Sequence, residues 1–280
     1  MIYRTYQPRL ARSTTLKELP LSRFVEFLWI REGDNLPEAQ SRLLPIGSME
    51  LVINLHEDRI PLFDPHTQAE RGSTNGTRIC GAHSEGFIIN NERRVSAMGV
   101  HFKPGGHAAF FTLPAGELHN QIVSLEELWK SRATELRERL LEAPSLETRF
   151  LVLEQFLLTM LQPPKRHPAV DFALHAFKRS PTPTVKTVTD QVGLSTRHFN
   201  QLFRDQVGLT PKLFCRVRRL QHVLSLLAGQ DQIDWLDVAF TCGYFDQAHL
   251  IHDFRAFAHC TPTEYVAQRG FHPCHIVLPS

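Results

Sequence analysis

Arg197, Asn200, Gln201 and Arg204 recur at three- and four-residue steps, which places them along one face of a helix. Their chemistry is hydrogen bonding to planar, multi-acceptor partners. An arginine grips guanine O6 and N7 together, Asn and Gln match adenine N6 and N7, and a helix fits the major groove of a duplex. A second set, Gln247, Ala248, Ile251, His252 and Arg255, stands in a second copy of the same pattern. From Ser195 and Asp246 to Pro211 and Pro262 the copies match without a gap, since 246 − 195 and 262 − 211 both equal 51.

Each copy reads as a helix-turn-helix. A short helix, 185–192 or 235–241, ends at Gly193 or Gly243, where a left-handed backbone turns the chain. Ser195 or Asp246 then offers an oxygen as N-cap to a second helix. In the first copy Phe199, Leu202, Phe203 and Val207 form the apolar stripe opposite the polar one. Between the copies Thr210 and Pro211 open a linker helix that runs to about Leu227 and stops at Gly229. It carries Lys212, Arg216, Arg218 and Arg219, a local surplus that can neutralise phosphates although the chain as a whole carries only +2. Base contacts are therefore expected from Thr196, Arg197, Asn200 and Gln201, and from Gln247, Ala248 and His252; Ile251 either touches a thymine methyl or is buried. Phosphate contacts are expected from Arg204, Lys212, Arg216 and Arg255.

The segment from about Asp171 to Arg269 resembles the DNA-binding domain of the AraC/XylS family of bacterial transcription regulators. The second copy carries most of the likeness, with Ala239 before Gly243, then Asp246-Gln247-Ala248-His249, Phe254 and Thr261-Pro262. Departures are Gln201 and His252 where the family commonly has Arg, Thr189 where a small Ala usually packs, and His259 where the first copy has Gly208. The resemblance implies double-stranded DNA as partner, a small-molecule effector, a homodimer joined through helices of the N-terminal domain, and contact with RNA polymerase. Pro45-Ile46-Gly47, Glu50–Leu55 and Gly99–Leu118 resemble, more weakly, the N-terminal domain of one branch of that family.

The first half reads as short strands: Phe24–Ile30, Leu44–Gly47, Glu50–Leu55, Gly86–Ile89 and Ser96–Phe102, separated by polar turn residues that include Asn90 and Asn91. A small barrel or sandwich is expected, β-barrel-like in the cupin manner. His56, His66, His83, His101, His107 and His119 raise a metal site, yet no His-x-His occurs before residue 160, and scattered core and surface histidines remain the simpler reading. The alternative function is a metal-dependent cupin-like enzyme with an accessory helical domain, although the chain has no nucleophile elbow, Walker loop or recognisable carboxylate pair. No cofactor is expected.

A helix from Ser124 to about Leu141 follows, then one from Ser145 with Leu146, Phe150, Leu153, Phe156, Leu157 and Met160 on one face. That stripe packs either within its own domain or against a second subunit. Gln162-Pro163-Pro164-Lys165 divides the chain into a sensing or dimerisation domain, 1–162, and a tandem helix-turn-helix domain, 163–280. Pro181-Thr182-Pro183 leads into the first unit, and Phe271 to Ser280 is a tail without a readable role. The composition, 42% hydrophobic and 21% charged over 280 residues, is that of globular protein. With no run of about eighteen apolar residues and five scattered cysteines, a cytoplasmic, reduced protein is expected. The fold class expected is α+β, an N-terminal β-barrel-like domain followed by an all-α domain of two helix-turn-helix units joined by a linker helix.

Overall fold

The computed structural model describes residues 2–7, 21–33, 40–90, 95–162, 166–179, 184–230, 232–270 and 272–278. Asn91, the Pro163–Lys165 boundary and the Pro181–Pro183 lead lie outside them. The strands of the first half are β1 (Ile2–Tyr6), β2 (Val25–Gly33), β3 (Gln40–Leu43), β4 (Glu50–Asn54), β5 (Arg59–Phe63), β6 (Glu70–Asn75), β7 (Thr77–Cys80), β8 (Phe87–Asn90), β9 (Val95–Phe102) and β10 (Ile122–Ser124). Helices α1 (Leu125–Trp129), α2 (Ser131–Glu142) and α3 (Leu146–Met160) follow. The second half is α4 (Pro168–Ala176), α5 (Val185–Val192), α6 (Thr196–Val207), α7 (Pro211–Leu227), α8 (Trp235–Thr241), α9 (Gln247–Ala258), α10 (Pro262–Gln268) and a last strand, β11 (His275–Leu278).

Among the described residues the strands form three sheets, ordered β1-β2-β9-β4-β7-β10, β11-β3-β8 and β5-β6. The sheets do not close into a full barrel, and the β-rich, barrel-like first half expected is what is found. Period-two alternation sorts the large sheet into two faces. Leu28, Ile30, Leu51, Ile53, Met98, Val100 and Phe102 turn one way and pack with Trp129, Leu136, Leu153, Phe156 and Leu157 of the helices. Phe27, Trp29, Arg31, Glu50, Val52, Arg78 and His101 turn the other way, toward a cleft. The α3 stripe is thereby buried within its own domain: Phe150, Leu153, Phe156 and Leu157 belong to this core.

Three readings of local sequence are corrected. Residues 44–47 are loop, and the strand lies just before them at β3. The helix expected from Ser124 to Leu141 breaks at Lys130, whose φ of 52° ends α1 before α2 begins. The tail has a structural role. Strand β11 pairs antiparallel with β3, His275 opposite Leu43 and Leu278 opposite Gln40, so the end of the chain adds a strand to a sheet of the first half.

The two halves share a core. Leu44 and Ala82 lie in one buried cluster with Val170, Phe199, Phe203, Phe214 and Phe254. Backbone hydrogen bonds from Leu44 N–H to the Cys274 carbonyl (2.8 Å) and from Gly86 N–H to the Phe257 carbonyl (3.1 Å) cross between them. Gln221 Nε2 donates to the Pro45 carbonyl (2.5 Å), and Arg42 Nη1 to the Ala258 carbonyl (3.0 Å).

Candidate nucleic-acid interface

The two helix-turn-helix units follow from local rules that the sequence obeys twice. Helix α5 is capped by Thr184, whose hydroxyl accepts from Thr187 N–H (3.1 Å). It ends at Gly193, and α8 is followed by Gly243, both with positive φ (68° and 77°) that an L side chain adopts only with strain. Ser195 Oγ accepts from His198 N–H (3.3 Å) to start α6, and Asp246 Oδ1 from His249 N–H (2.7 Å) to start α9. Thr189 resolves a departure noted above: it is buried, and its hydroxyl donates to the Val185 carbonyl one turn back (2.9 Å), so it packs without an orphaned polar group.

The apolar stripes are inside. Phe199 and Phe203 are fully buried, with ring centroids 5.9 Å apart, and Phe203 lies 5.5 Å from Phe214 of α7. Leu250, Phe254 and Phe257 do the same for α9. Opposite them, Thr196, Arg197, Gln201 and Arg204 of α6 and Gln247, Ala248, His252 and Arg255 of α9 are exposed, while Asn200 and Ile251 are half-buried. The expected base-reading residues therefore lie on the uncovered faces of the two helices. Gln201 Nε2 also donates to Asp205 Oδ1 (2.8 Å), which holds its amide along the helix.

The C-terminal ends of both helices face the first half of the chain. A Cβ at Gly116 would meet Arg204 Cγ at 3.1 Å, and one at Gly105 would meet the Gln206 carbonyl at 3.0 Å, so α6 ends against those loops. Helix α9 ends on Arg42 and Gly86 through its Ala258 and Phe257 carbonyls. The N-terminal halves of the helices stand clear of these contacts, and in helix-turn-helix proteins it is those residues that contact base edges.

Arg216 is the phosphate candidate that the structure commits elsewhere. Its Nε and Nη2 donate to Asp253 Oδ1 (3.0 and 2.7 Å), Arg219 Nη2 donates to Asp253 Oδ2 (3.2 Å), and the carboxylate is almost completely buried. Arg216 also lies over the Phe257 ring at 4.9 Å and Arg219 over Tyr244 at 5.0 Å. This cluster fastens α9 to the linker helix. Asp253 escaped the sequence reading, although a signal existed: it falls where the first copy has apolar Leu202, on the face that must be buried. Lys212 and Arg255 are exposed and Arg204 reaches solvent beside Gly116.

Against α7 lies a cleft of roughly 2310 Å³, walled by the inner face of the large sheet, by Lys212, Arg216 and Arg219 of α7, by His252 and Asp253 of α9, and by the tail. Its sheet wall carries an ordered polar group. Trp29 Nε1 donates to Glu50 Oε1 (2.8 Å), His101 lies 3.6 Å from the same carboxylate and 3.1 Å from Ser48 Oγ, and Phe27 stacks on His101 at 4.7 Å. Trp29 fits because its neighbour is Gly99, where a Cβ would come within 2.5 Å of the indole. Arg31 is buried in the same wall, and desolvation lowers its pKa to about 10. Of the six histidines raised as metal ligands, His83 and His107 are buried, and desolvation pushes each down to about 4. Among the described residues no group of three or more His, Cys, Asp or Glu comes together as a metal site.

A helix-turn-helix domain family matches residues 188–268, and a domain family of unknown function matches residues 17–124. The chain is similar to the solved structure of ToxT from Vibrio cholerae at 8% identity, covering 85% of this chain and 98% of that one with a TM-score of 0.48. A second ToxT structure, with unsaturated fatty acid bound, matches at 9% identity over 85% and 94% of the two chains, again with a TM-score of 0.48. The xylose-binding transcription activator XylR matches at 23% identity over 49% of this chain and 38% of that one, with a TM-score of 0.28. No curated protein matches closely enough to count as a relative.

Proposed function

We propose that the chain is a DNA-binding transcription regulator of the AraC/XylS type, a reading supported by its helix-turn-helix match over residues 188–268, and that it binds DNA sequence-specifically by placing α6 and α9 in two successive major grooves. The observation that carries this reading is the duplicated arrangement: two exposed helix N-termini held by α7, whose 17 residues span about 25 Å. Major grooves on one face of a duplex recur at about 34 Å, and a modest bend of the DNA accommodates the difference. Thr196, Arg197, Asn200 and Gln201 read bases in one groove, and Gln247, Ala248, Ile251 and His252 in the next. Lys212, Arg204 and Arg255 meet phosphates. Arg216, held by Asp253, sets the pitch between the helices instead.

In this reading the domains divide at 162/163, with the tail returning across the boundary, and the cleft against α7 receives a small-molecule effector. The outer surface of α2 and α3, where Leu141, Leu151 and Leu158 are exposed, pairs two copies. The protein works in the cytoplasm and catalyses nothing; among the described residues no helix is long and apolar enough to cross a membrane.

Selection of bound duplexes from a random pool tests the reading. Arg197→Ala should then cost about 1–3 kcal/mol and relax one base position, whereas Lys212→Ala should weaken all sequences alike and lower the salt slope by about 1. Failure of the full chain to prefer any duplex over a scrambled competitor would refute it.

A further inference from the structure

The two units expose different chemistry. On α6 the uncovered groups are guanidinium, amide and hydroxyl; on α9 they include Ala248 and half-buried Ile251. Just before α9 stands Phe245, 84% exposed, the most exposed of the large apolar side chains described. It precedes Asp246, the N-cap, and its own amide faces His249 Nδ1 at 3.5 Å. The ring is therefore carried at the end of α9 that bears Gln247 and Ala248. Between glycine and N-cap the first unit has one residue, Leu194, and the second has two, Tyr244 and Phe245; Leu194 and Tyr244 both pack against the core, so Phe245 is the added residue. A large aromatic added to the turn of one copy and left in water calls for a partner.

We propose that Phe245 is a specificity-determining residue of the second unit and that it recognises thymine through the C5-methyl group. The inference rests on the DNA-binding reading above. Apolar contact is the way a protein distinguishes thymine in the major groove, because the methyl is the one apolar feature the base edges present there. Ala248 and Ile251 extend the same surface along α9. The first half-site is read by hydrogen bonds and the second by methyl contacts beside the hydrogen bonds of Gln247 and His252, so the second is thymine-bearing. Leu236 and Phe240 of α8 are also exposed, 51% and 58%, where the first unit has the Lys186–Asp190 ion pair at 3.2 Å (186 + 50 and 190 + 50). A protein partner covering Leu236, Phe240 and Phe245 together is the competing occupant.

The experiment uses the full chain and a selected duplex in which thymine is replaced by uracil, one half-site at a time, removing only methyl groups. Uracil in one half-site should weaken wild-type binding by about fivefold to twentyfold. Phe245→Ala should lose about as much on thymine DNA and lose nothing further on uracil DNA, with the salt slope unchanged and circular dichroism intact. The proposal is overturned if uracil has no effect on the wild type. It is equally overturned if Phe245→Ala weakens thymine and uracil duplexes by separate, multiplying factors, or leaves DNA binding intact while abolishing capture of another protein. If no duplex is selected at all, the DNA-binding reading fails first and this inference with it.

Discussion

The first and second helix-turn-helix units share a skeleton and differ in nearly everything attached to it. Both have an oxygen-bearing N-cap, a left-handed glycine turn and phenylalanines buried on α7. Around α6 the fastening is apolar: Phe203 against Phe177 at 6.1 Å and Phe214 at 5.5 Å, with Gly208 tight against Ala82. Around α9 the fastening is polar and crosses the molecule, through the Arg216–Asp253–Arg219 cluster, the Arg42 bond to Ala258 and the β11 strand. Caps and turns are what a duplicated unit must keep to remain a helix-turn-helix; how each is anchored, and what it shows to solvent, is free to diverge.

The sharpest way to break this contrast is Asp253→Ala. Removing a nearly fully buried carboxylate leaves two arginines without their shared partner, a change that costs several kcal/mol when both partners are buried. Because the arginine side chains are 27% and 29% exposed, water recovers part of that, and about 3 kcal/mol is expected in denaturant unfolding of the full chain. Hydrogen exchange should rise in α9 and leave α6 protected; uniform deprotection would mean the two units are anchored alike.

Ile276→Ala comes next. Ile276 is buried, pairs with Arg42 of β3 and bridges Arg269 on its other side. Cavity formation at such a site costs about 2–3 kcal/mol. The expected signature is loss of coupling between the halves, seen as two thermal transitions where the wild type has one, with the second unit released.

Acid acts at both anchors. Burial holds His275, beside Arg31 and His272, down at about 3, and His83 and His107 at about 4. Each is neutral when folded and protonates near 6.5 when unfolded, so the unfolded chain binds more protons as pH falls below 6.5. Stability is therefore full above about 6.5 and declines as pH falls toward 4, each buried histidine contributing up to about 1.4 kcal/mol per pH unit. Between pH 6.5 and 5 a loss of about 1–2 kcal/mol per histidine is the upper expectation. His275→Gln should flatten the decline in the strand-anchored second half, and a profile unchanged in slope would count against burial as its cause.

The same contrast explains what was legible in the amino-acid order. Helices α5 to α10 were readable because their signals are local: Thr184, Ser195, Thr210, Asp246 and Thr261 each cap the turn that follows them. The strand ribbon β5–β6 was not, because Glu70–Asn75 is mostly exposed and carries no alternation of apolar residues. β11 is a four-residue run whose partner lies more than 230 positions away, and nothing nearby announces the pairing. The reading faces of α6 and α9 follow from three- and four-residue spacing. Asp253 does not, because its role depends on Arg216, 37 residues earlier.

The smallest effect concerns the two helix ends. Gly208 closes α6 with φ 95°, and His259 closes α9 with φ 58° and ψ 19°, both left-handed. Glycine adopts this conformation without steric cost, whereas histidine is strained there by about 1 kcal/mol. His259→Gly should therefore raise stability, by somewhat less than 1 kcal/mol because the edge contact of its ring with His66, centroids 5.1 Å apart, is lost. The reverse change is not symmetrical. A Cβ at Gly208 would stand 2.9 Å from the Ala82 Cβ, so Gly208→Ala adds a clash to the strain and should destabilise by more than His259→Gly gains. Thermal unfolding of the two variants side by side decides the matter: if His259→Gly is the less stable of the pair, the second unit's histidine is held by contacts stronger than the backbone strain it bears.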